Sequence, residues 1–296
     1  MRPAVSVIVP SYRSLATIDA CLAALGAQET AAACEVIVVD SSDDGTGELI
    51  AERFPKVELV RLPARTLPGA ARNLGVERAR GQILAFTDAD CVVEPRWVEK
   101  MRRAHEREDA AGIGGAVENG RPESLVAWGG CLLEFNEFLP SAPAGPVELL
   151  ATCNASFRRD VFERHGGFPA DLWPSEDHLF CHRLARAGER LLFDSSIRVR
   201  HLFRPRLSEF LRHQRRLGAA SARARLAADL PHAWLVGHPL RHATPLLRLA
   251  AIEGRLLARD PRSFARLNLL LPLALAGLVA WGAGFGAQRS GREHRA

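Results

Sequence analysis

Strand-like and helix-like patterns alternate through the front of this chain, and this alternation limits what it can fold into more than any other feature. Val5–Val9, Glu35–Val39 and Gln82–Thr87 are nearly continuous apolar runs rich in β-branched residues, as expected of strands buried on both faces. Between them, Ser14–Leu25 places Leu15, Ile18, Leu22 and Leu25 at helical spacing. Glu48–Arg53 reads as a short helix, Val57–Leu62 as another strand, and Pro68–Ala79 as a helix opened by Pro-Gly. The order predicts an α/β sheet with mainly parallel strands. Further on, Pro95–His105, Arg159–Arg164 and Glu176–Ala187 read as helices. Asn154–Phe157, Leu191–Phe193 and Ile197–Arg200 read as short strands. Residues 110–150 are rich in Gly and Pro and give no clear period.

In open α/β sheets, ligands bind beyond the carboxyl ends of the strands. Three strands here end in polar residues: Pro10-Ser11-Tyr12, Asp40-Ser41-Ser42-Asp43-Asp44, and Asp88-Ala89-Asp90. All are expected on one rim. An acidic cluster of Asp40, Asp88 and Asp90 is electrostatically costly without a cation, and oxygen ligands suit Mg2+ or Mn2+. Mg2+ takes few protein carboxylates and fills its shell with phosphate oxygens, so the expected ligand is a nucleoside diphosphate bridged by metal.

Five ordered segments carry a resemblance. They are VSVIVPSYRSLATIDACLAAL, VIVVDSSDDGT, PGAARNLGVERARGQILAFTDADC, CNASFRRDVFERHGGFP and SEDHLFCHRLARAG. Together they resemble the family 2 glycosyltransferases over roughly residues 4–205, with one departure: no Gly stands beside Asp40. The resemblance implies the GT-A fold, a Rossmann-like mixed, mainly parallel sheet flanked by helices. It also implies transfer of one sugar, with inversion, from a nucleotide-diphospho-sugar (a UDP-sugar, by the carboxylate expected at the base) to an acceptor hydroxyl.

By the same resemblance, Pro10, Tyr12 and Asp40 line the base pocket, and Arg72 and Asn73 sit at the diphosphate. Asp88 contacts ribose or sugar hydroxyls and shares the metal with Asp90, and His201 reaches the metal or diphosphate. Asp177 is the general base, supported by Glu176; Asn154 lies near the sugar or acceptor. Trp173, just before the acid pair, suits either stacking on an acceptor ring or packing.

Charge is distributed unevenly along the chain. Residues 1–197 hold 21 Lys+Arg against 29 Asp+Glu, whereas residues 198–262 hold 14 Arg against 4 acids. A basic rear calls for an anionic partner. Leu207–Leu226 reads as a basic amphipathic helix with Leu207, Phe210, Leu211 and Leu217 on one face. Leu267–Ala287 carries no charge over 21 residues, and reaches about 30 Å as a helix. Arg255, Arg259, Arg262 and Arg266 precede it, and Arg289, Arg292 and Arg295 follow. The expectation is a GT-A catalytic domain at 1–205, a basic helical extension at 206–262, and a hydrophobic segment at 263–296 that is transmembrane or membrane-embedded. An anionic membrane surface is favoured over nucleic acid, for which no helix-turn-helix or zinc-finger spacing is present.

The expected acceptor is a glycan or lipid-linked molecule, in envelope glycan or glycolipid synthesis. The first residues do not read as a secretory signal, since Pro10 ends a short apolar run. The six Cys show no CxxC or zinc spacing and suit a reducing compartment. The expected place is the cytoplasmic face of the cell membrane, single-pass or monotopic. Two other readings compete: a non-catalytic, membrane-anchored sugar-nucleotide or glycan-binding protein, and a sugar nucleotidyltransferase. The latter wants a Gly-rich basic loop after the first strand, and PSYRSLAT has no Gly.

Overall fold

A computed structural model describes residues 3–228 and 230–288. In chain order its elements are β1 (Val5–Ser11), α1 (Ile18–Gly26), β2 (Cys34–Asp40), α2 (Thr46–Arg53), β3 (Glu58–Arg61), α3 (Pro68–Arg78), β4 (Ile83–Thr87), β5 (Cys91–Val93), α4 (Trp97–Arg107) and β6 (Gly112–Asn119). There follow α5 (Leu125–Glu134), β7 (Gly145–Pro146), β8 (Asn154–Arg158), α6 (Arg159–His165), α7 (Glu176–Arg186), β9 (Leu191–His201), α8 (Leu207–Ala228), α9 (Thr244–Arg259), α10 (Pro261–Leu269) and α11 (Leu271–Gly286). The chain divides into two units. One holds residues 1–120 and 138–202; the other holds 121–137 and 203–296. The second thus draws one helix, α5, from within the 1–205 stretch.

In the first unit the strands run β3-β2-β1-β4-β8-β6-β9-β5, with β7 beside β9. The β3-β2-β1-β4 portion is parallel, so the carboxyl ends of β2, β1 and β4 share one rim. β8 runs antiparallel to both β4 and β6. β9 is parallel to β6 and antiparallel to β5. This is the mixed, mainly parallel α/β sheet expected.

Two details differ from the sequence reading. Leu191–Phe193 and Ile197–Arg200 are one strand, β9, carrying an irregularity: Gly115 faces Asp194, and the next residue, Ala116, faces Arg198. Ser196 N–H donates to Asp194 Oδ1 at 2.9 Å inside that excursion. The stretch 110–150, which gave no clear period, contains β6, α5 and β7. β6 is crowded by its neighbours, and a Cβ on Gly115 would lie 2.2 Å from the Ile197 carbonyl oxygen. Glycine serves close approach there rather than a turn.

Beneath the rim, Phe86 of β4, Phe157 of β8, Phe162 of α6, Phe168 and Phe180 of α7 form an aromatic cluster. Phe168 and Phe180 are closest, with centroids 4.5 Å apart; Phe157 meets Phe180 edge-on at 5.2 Å. Each such side chain contributes about 1.5–3 kcal/mol by burial, and well-oriented pairs add about 0.5–1.5 kcal/mol. The cluster ties α6, α7 and the loop between them to the sheet.

In the second unit, α8 packs on α11. Its buried residues include Phe210, Gln214, Gly218 and Ala222, an i, i+4 row, while Leu207 is exposed. The packed face is therefore rotated from the one expected. Gln214 Nε2 donates to Glu134 Oε1 at 2.8 Å, tying α8 to α5. The two backbones nearly touch. A Cβ on Gly284 would lie 1.9 Å from the Arg215 carbonyl oxygen, and one on Gly218 the same distance from that of Trp281. Gly284→Leu is expected to lower the melting temperature of this unit, costing about 1–3 kcal/mol or more by overpacking. Differential scanning calorimetry would check it, with Gly254→Ala, at an open helical position, as the control expected to be neutral to slightly stabilising.

The Leu267–Ala287 segment, expected to be transmembrane or membrane-embedded, is not one continuous helix. Among the described residues no single helix is long and apolar enough to cross a membrane. The segment breaks at Leu270, and α10 and α11 are bent by 82°. The cause is Pro272: it has no N–H to continue the helix from Asn268, and it takes a first-turn position in α11 instead. The 16 residues of α11 reach about 24 Å. Residues 289–296, with Arg289, Arg292 and Arg295, lie outside the described residues.

Candidate active site

One face of α3 holds the site together. Gly69, Arg72 and Asn73 stand at i, i+3 and i+4 and so project on the same side. A Cβ on Gly69 would lie 2.2 Å from the Pro169 carbonyl oxygen, so glycine lets the loop before α7 rest on the helix. Asn73 fastens that loop. Its Nδ2 donates to the Phe168 carbonyl, and the Phe168 N–H donates to its Oδ1, each at 2.8 Å.

Arg72 joins two acids that are far apart along the chain. Its Nη1 donates to Glu176 Oε1 at 2.5 Å and its Nη2 to Asp88 Oδ1 at 2.6 Å. The residue is 2% exposed. Its Nε is buried with no hydrogen-bond partner, and the guanidinium sits 5.9 Å from the Phe168 ring centroid. The expectation at Arg72 and Asn73 was diphosphate contact. In the structure both Arg72 Nη groups are engaged by carboxylates and both ends of the Asn73 amide by backbone. They assemble the site, for the physical reason that a buried charge or amide must be paired.

Glu176 and Asp177 occupy the first turn of α7, where the helix dipole favours negative charge. Burial works against it. Glu176 is 4% exposed, and burial pushes its carboxyl up to about 7, with Arg72 pulling it down and Asp177 adding to the rise. Asp177 is also raised, by burial first and then by the charge of Asp88, while Arg72 and the backbone N–H groups of His178 and Thr152 oppose the rise. The His178 N–H donates to Asp177 Oδ1 at 2.8 Å, which orients the carboxylate.

Asp90 stands at the turn into β5. The antiparallel β5–β9 pairing sets Cys91 opposite His201, and the Leu202 N–H donates to the Asp90 carbonyl at 2.7 Å. His201 Nε2 is 3.6 Å from Asp90 Oδ1, and ligand atoms of Asp90, Cys91 and His201 all lie within 4.8 Å of one another. Two donors 3.6 Å apart fit one divalent ion about 2.0–2.3 Å from each. Asp88 falls outside this group: its Oδ1 is taken by Arg72.

On the neighbouring strands, Ser11 pairs with Asp40 in register at the ends of β1 and β2. Asp40 is 2% exposed and accepts from Ser42 Oγ at 2.6 Å. Pro10 and Tyr12 are half-buried on the same rim. Two guanidiniums approach the Tyr12 ring, Arg65 at 5.0 Å and Arg13 at 5.5 Å from its centroid. Arg13 is held in turn by Asp43, at 2.7 and 2.8 Å.

Trp173 is half-buried in the loop before α7, joined to Pro174 by a cis peptide. Asn154 departs from expectation. It is fully buried, donating to the carbonyls of Ala116 and Ile197 and accepting from Trp97 Nε1 at 2.7 Å. Its polar atoms are all used inside the fold, so it braces β8, β6, β9 and α4 rather than facing sugar or acceptor. Sequence reasoning missed Cys91, Ser42 and Arg65. Cys91 directly follows the Asp-x-Asp segment, the one available signal, while only the β5–β9 pairing sets it opposite His201.

The sequence model of Glycosyl transferase family 2 matches residues 6–166, more than half of the chain. Glycosyltransferase AglE of Haloferax volcanii is 32% identical over 225 residues, covering 73% of this chain and 72% of that protein. Succinoglycan biosynthesis protein ExoO of Rhizobium meliloti is 32% identical over 227 residues, covering 71% of this chain and 64%, less than two thirds, of its own length. Among solved structures, mannosyltransferase PcManGT from Pyrobaculum calidifontis, in complex with GDP-Man and Mn2+, superposes with a TM-score of 0.63 at 23% identity, covering 96% of this chain and 87% of its own. TarS 1–349 of S. aureus with UDP-GlcNAc gives a TM-score of 0.56 at 20% identity, covering 96% and 90%. Sheet order, site assembly and these matches agree on a GT-A fold, and the chain belongs to glycosyl transferase family 2.

Proposed function

We propose that this protein transfers one sugar from a nucleotide-diphospho-sugar, UDP-linked, to the hydroxyl of a glycan or lipid-linked acceptor, with inversion and with a divalent ion, Mg2+ or Mn2+. One observation carries the reading: Arg72 draws Asp88 and Glu176 onto a single guanidinium, so the strand-end acids and the α7 acids share one site. Relatives named for glycan synthesis and neighbours solved with GDP-Man or UDP-GlcNAc support a nucleotide-sugar donor.

The roles follow from placement. Asp40, Pro10 and Tyr12 form the polar-and-aromatic end that suits the base. Asp90 and His201 would hold the metal, which when bound supplies Lewis-acid neutralisation of a departing diphosphate. Asp177 accepts the acceptor's proton as the new bond to the anomeric carbon forms and the bond to the diphosphate oxygen breaks. Glu176, tied to Arg72, positions it. A carboxylate raised above its ordinary range is a stronger base for that step than an exposed one.

The test is nucleotide-sugar binding by calorimetry, using UDP- and GDP-sugars with Mn2+ and with chelator. UDP-sugar binding is expected to be metal-dependent, and Asp90→Ala to weaken it at least about tenfold in the presence of Mn2+ while leaving the chelator value unchanged. Equal binding by the variant with metal would remove Asp90 from the metal site. Preference for GDP-sugars would overturn the UDP assignment.

A further inference from the structure

Helix α9 is apolar on two sides: Ile252 and Leu256 are buried, and a second apolar arc faces outward. In a folded domain the apolar arc of a helix faces the core. On α9, Leu246, Leu247, Ala250, Ala251, Leu257 and Ala258 face solvent in addition to that buried side. At the helical repeat they fill an uncharged arc of about 140°. Leu246 and Leu247 are 65% and 61% exposed. The helix's cations turn elsewhere. Arg248 donates to the Leu133 carbonyl at 2.7 Å and lies 4.8 Å from the Trp281 ring, and Arg255 pairs with Glu137 at 2.7 Å.

Helix α11 repeats the pattern. It carries no charge, and Pro272, Leu275, Ala276, Val279 and Ala283 are exposed along one arc. The two helices meet closely, since a Cβ on Gly282 would lie 2.6 Å from Pro245 Cγ. At the break between α10 and α11, Leu269 is 79% exposed. Exposed Arg259 and Arg262 stand at the α9–α10 turn, in the stretch holding 14 Arg against 4 acids.

We propose that α9 and α11 are an in-plane docking surface for one leaflet of an anionic lipid bilayer. The outward apolar arcs insert among the acyl chains and the arginines at the turn meet the headgroups. Charge decides between occupants. A second copy would set one arginine-rich turn near another, whereas anionic headgroups bring the opposite sign. The bent α10–α11 pair, with a 16-residue α11, suits a helix lying in the interface better than one crossing it. This reading goes beyond sugar transfer and stands without it.

The test uses the full chain and vesicles of phosphatidylcholine with and without phosphatidylglycerol. The wild-type protein is expected to co-sediment with the anionic vesicles, less so as salt rises. The Leu246→Ser/Leu247→Ser/Leu257→Ser variant is expected to lose at least about tenfold in partitioning with little change in melting temperature, because each of these side chains is more than half exposed in the free protein. Arg259→Gln/Arg262→Gln, which leaves the apolar arc intact, is expected to weaken binding to anionic vesicles alone and to flatten the salt dependence. Failure of the wild-type chain to bind anionic vesicles overturns the proposal, as does unchanged binding by the triple Ser variant. So does sedimentation velocity showing a wild-type dimer that this variant dissolves, which would make a second copy the occupant.

Discussion

Asp177→Asn is expected to lower the rate of sugar transfer by about 10²–10⁴-fold, the usual contribution of a positioned general base, and to leave nucleotide-sugar affinity unchanged. The amide keeps the shape of the side chain and can still accept from the His178 N–H, so the first turn of α7 keeps its geometry. What disappears is the proton acceptor. The pH dependence gives an independent check. The active form is the carboxylate, and burial with the facing charge of Asp88 raises its pKa. The acid limb of kcat is therefore expected above the ordinary Asp value of about 3.9, activity falling as pH drops through the raised value. Because Glu176 is raised by the same burial and faces Asp177, the limb belongs to the pair. Full-rate transfer by Asp177→Asn in a coupled assay of nucleotide release would remove this residue from the chemistry.

Arg72→Met is expected to be the most destabilising single change in the site. It leaves Glu176 buried, and Asp88 partly buried, without their shared cation. Removing one partner of a buried ion pair typically costs about 3–5 kcal/mol. The cost carries a pH signature. The Glu176 carboxyl is already raised, and without the guanidinium it rises further, so the folded variant binds a proton that the unfolded chain releases. Stability of that kind is present below the unfolded carboxylate value and lost as pH rises through the folded one. The variant is thus expected to unfold most readily above neutral pH and to recover toward pH of about 5, whereas a loss of packing alone would be independent of pH. Arg72→Met/Glu176→Gln should restore part of the stability at neutral pH. Denaturant melts of the three proteins across pH would measure both effects, and identical pH dependence in all three would mean that Arg72 does not hold Glu176.

The individual elements of the first unit were legible because their residues see neighbours on both sides of a sheet. Val5–Val9 and Glu35–Val39 are apolar and β-branched apart from Ser6 and Glu35, the pattern of a strand covered on both faces. The Asp-x-Asp segment was legible for the same reason, because a polar cluster ending a buried strand must sit on the rim. The glycines of β6 misled, since local propensity makes Gly a breaker while Gly115 is required by the carbonyl of a residue more than eighty positions away. Asn154 misled in a similar way: its motif suggested substrate, but all its hydrogen-bonding capacity is spent on three other elements.

At the other end of the chain, composition gave an uncharged stretch of membrane-spanning length, and the break at Leu270 follows from Pro272, which the sequence displays. What no pattern of residues displays is which arc of each helix faces outward. Hydrophobic periodicity marks a helix as having an apolar side but is silent on whether that side meets protein or solvent.

The amino-acid sequence alone determined the α/β class, the rim on which the acids gather, the family to which they point and the sign of charge at each end of the chain. Only the tertiary structure decided that Arg72 serves the two acids in place of a free role, that Asp90 finds His201 across an antiparallel pair, and that α9 presents a second apolar arc outward. The reason is range: strand and helix patterns are set by residues a few positions apart, while ion pairing and burial depend on which distant segments the fold brings within about 4 Å.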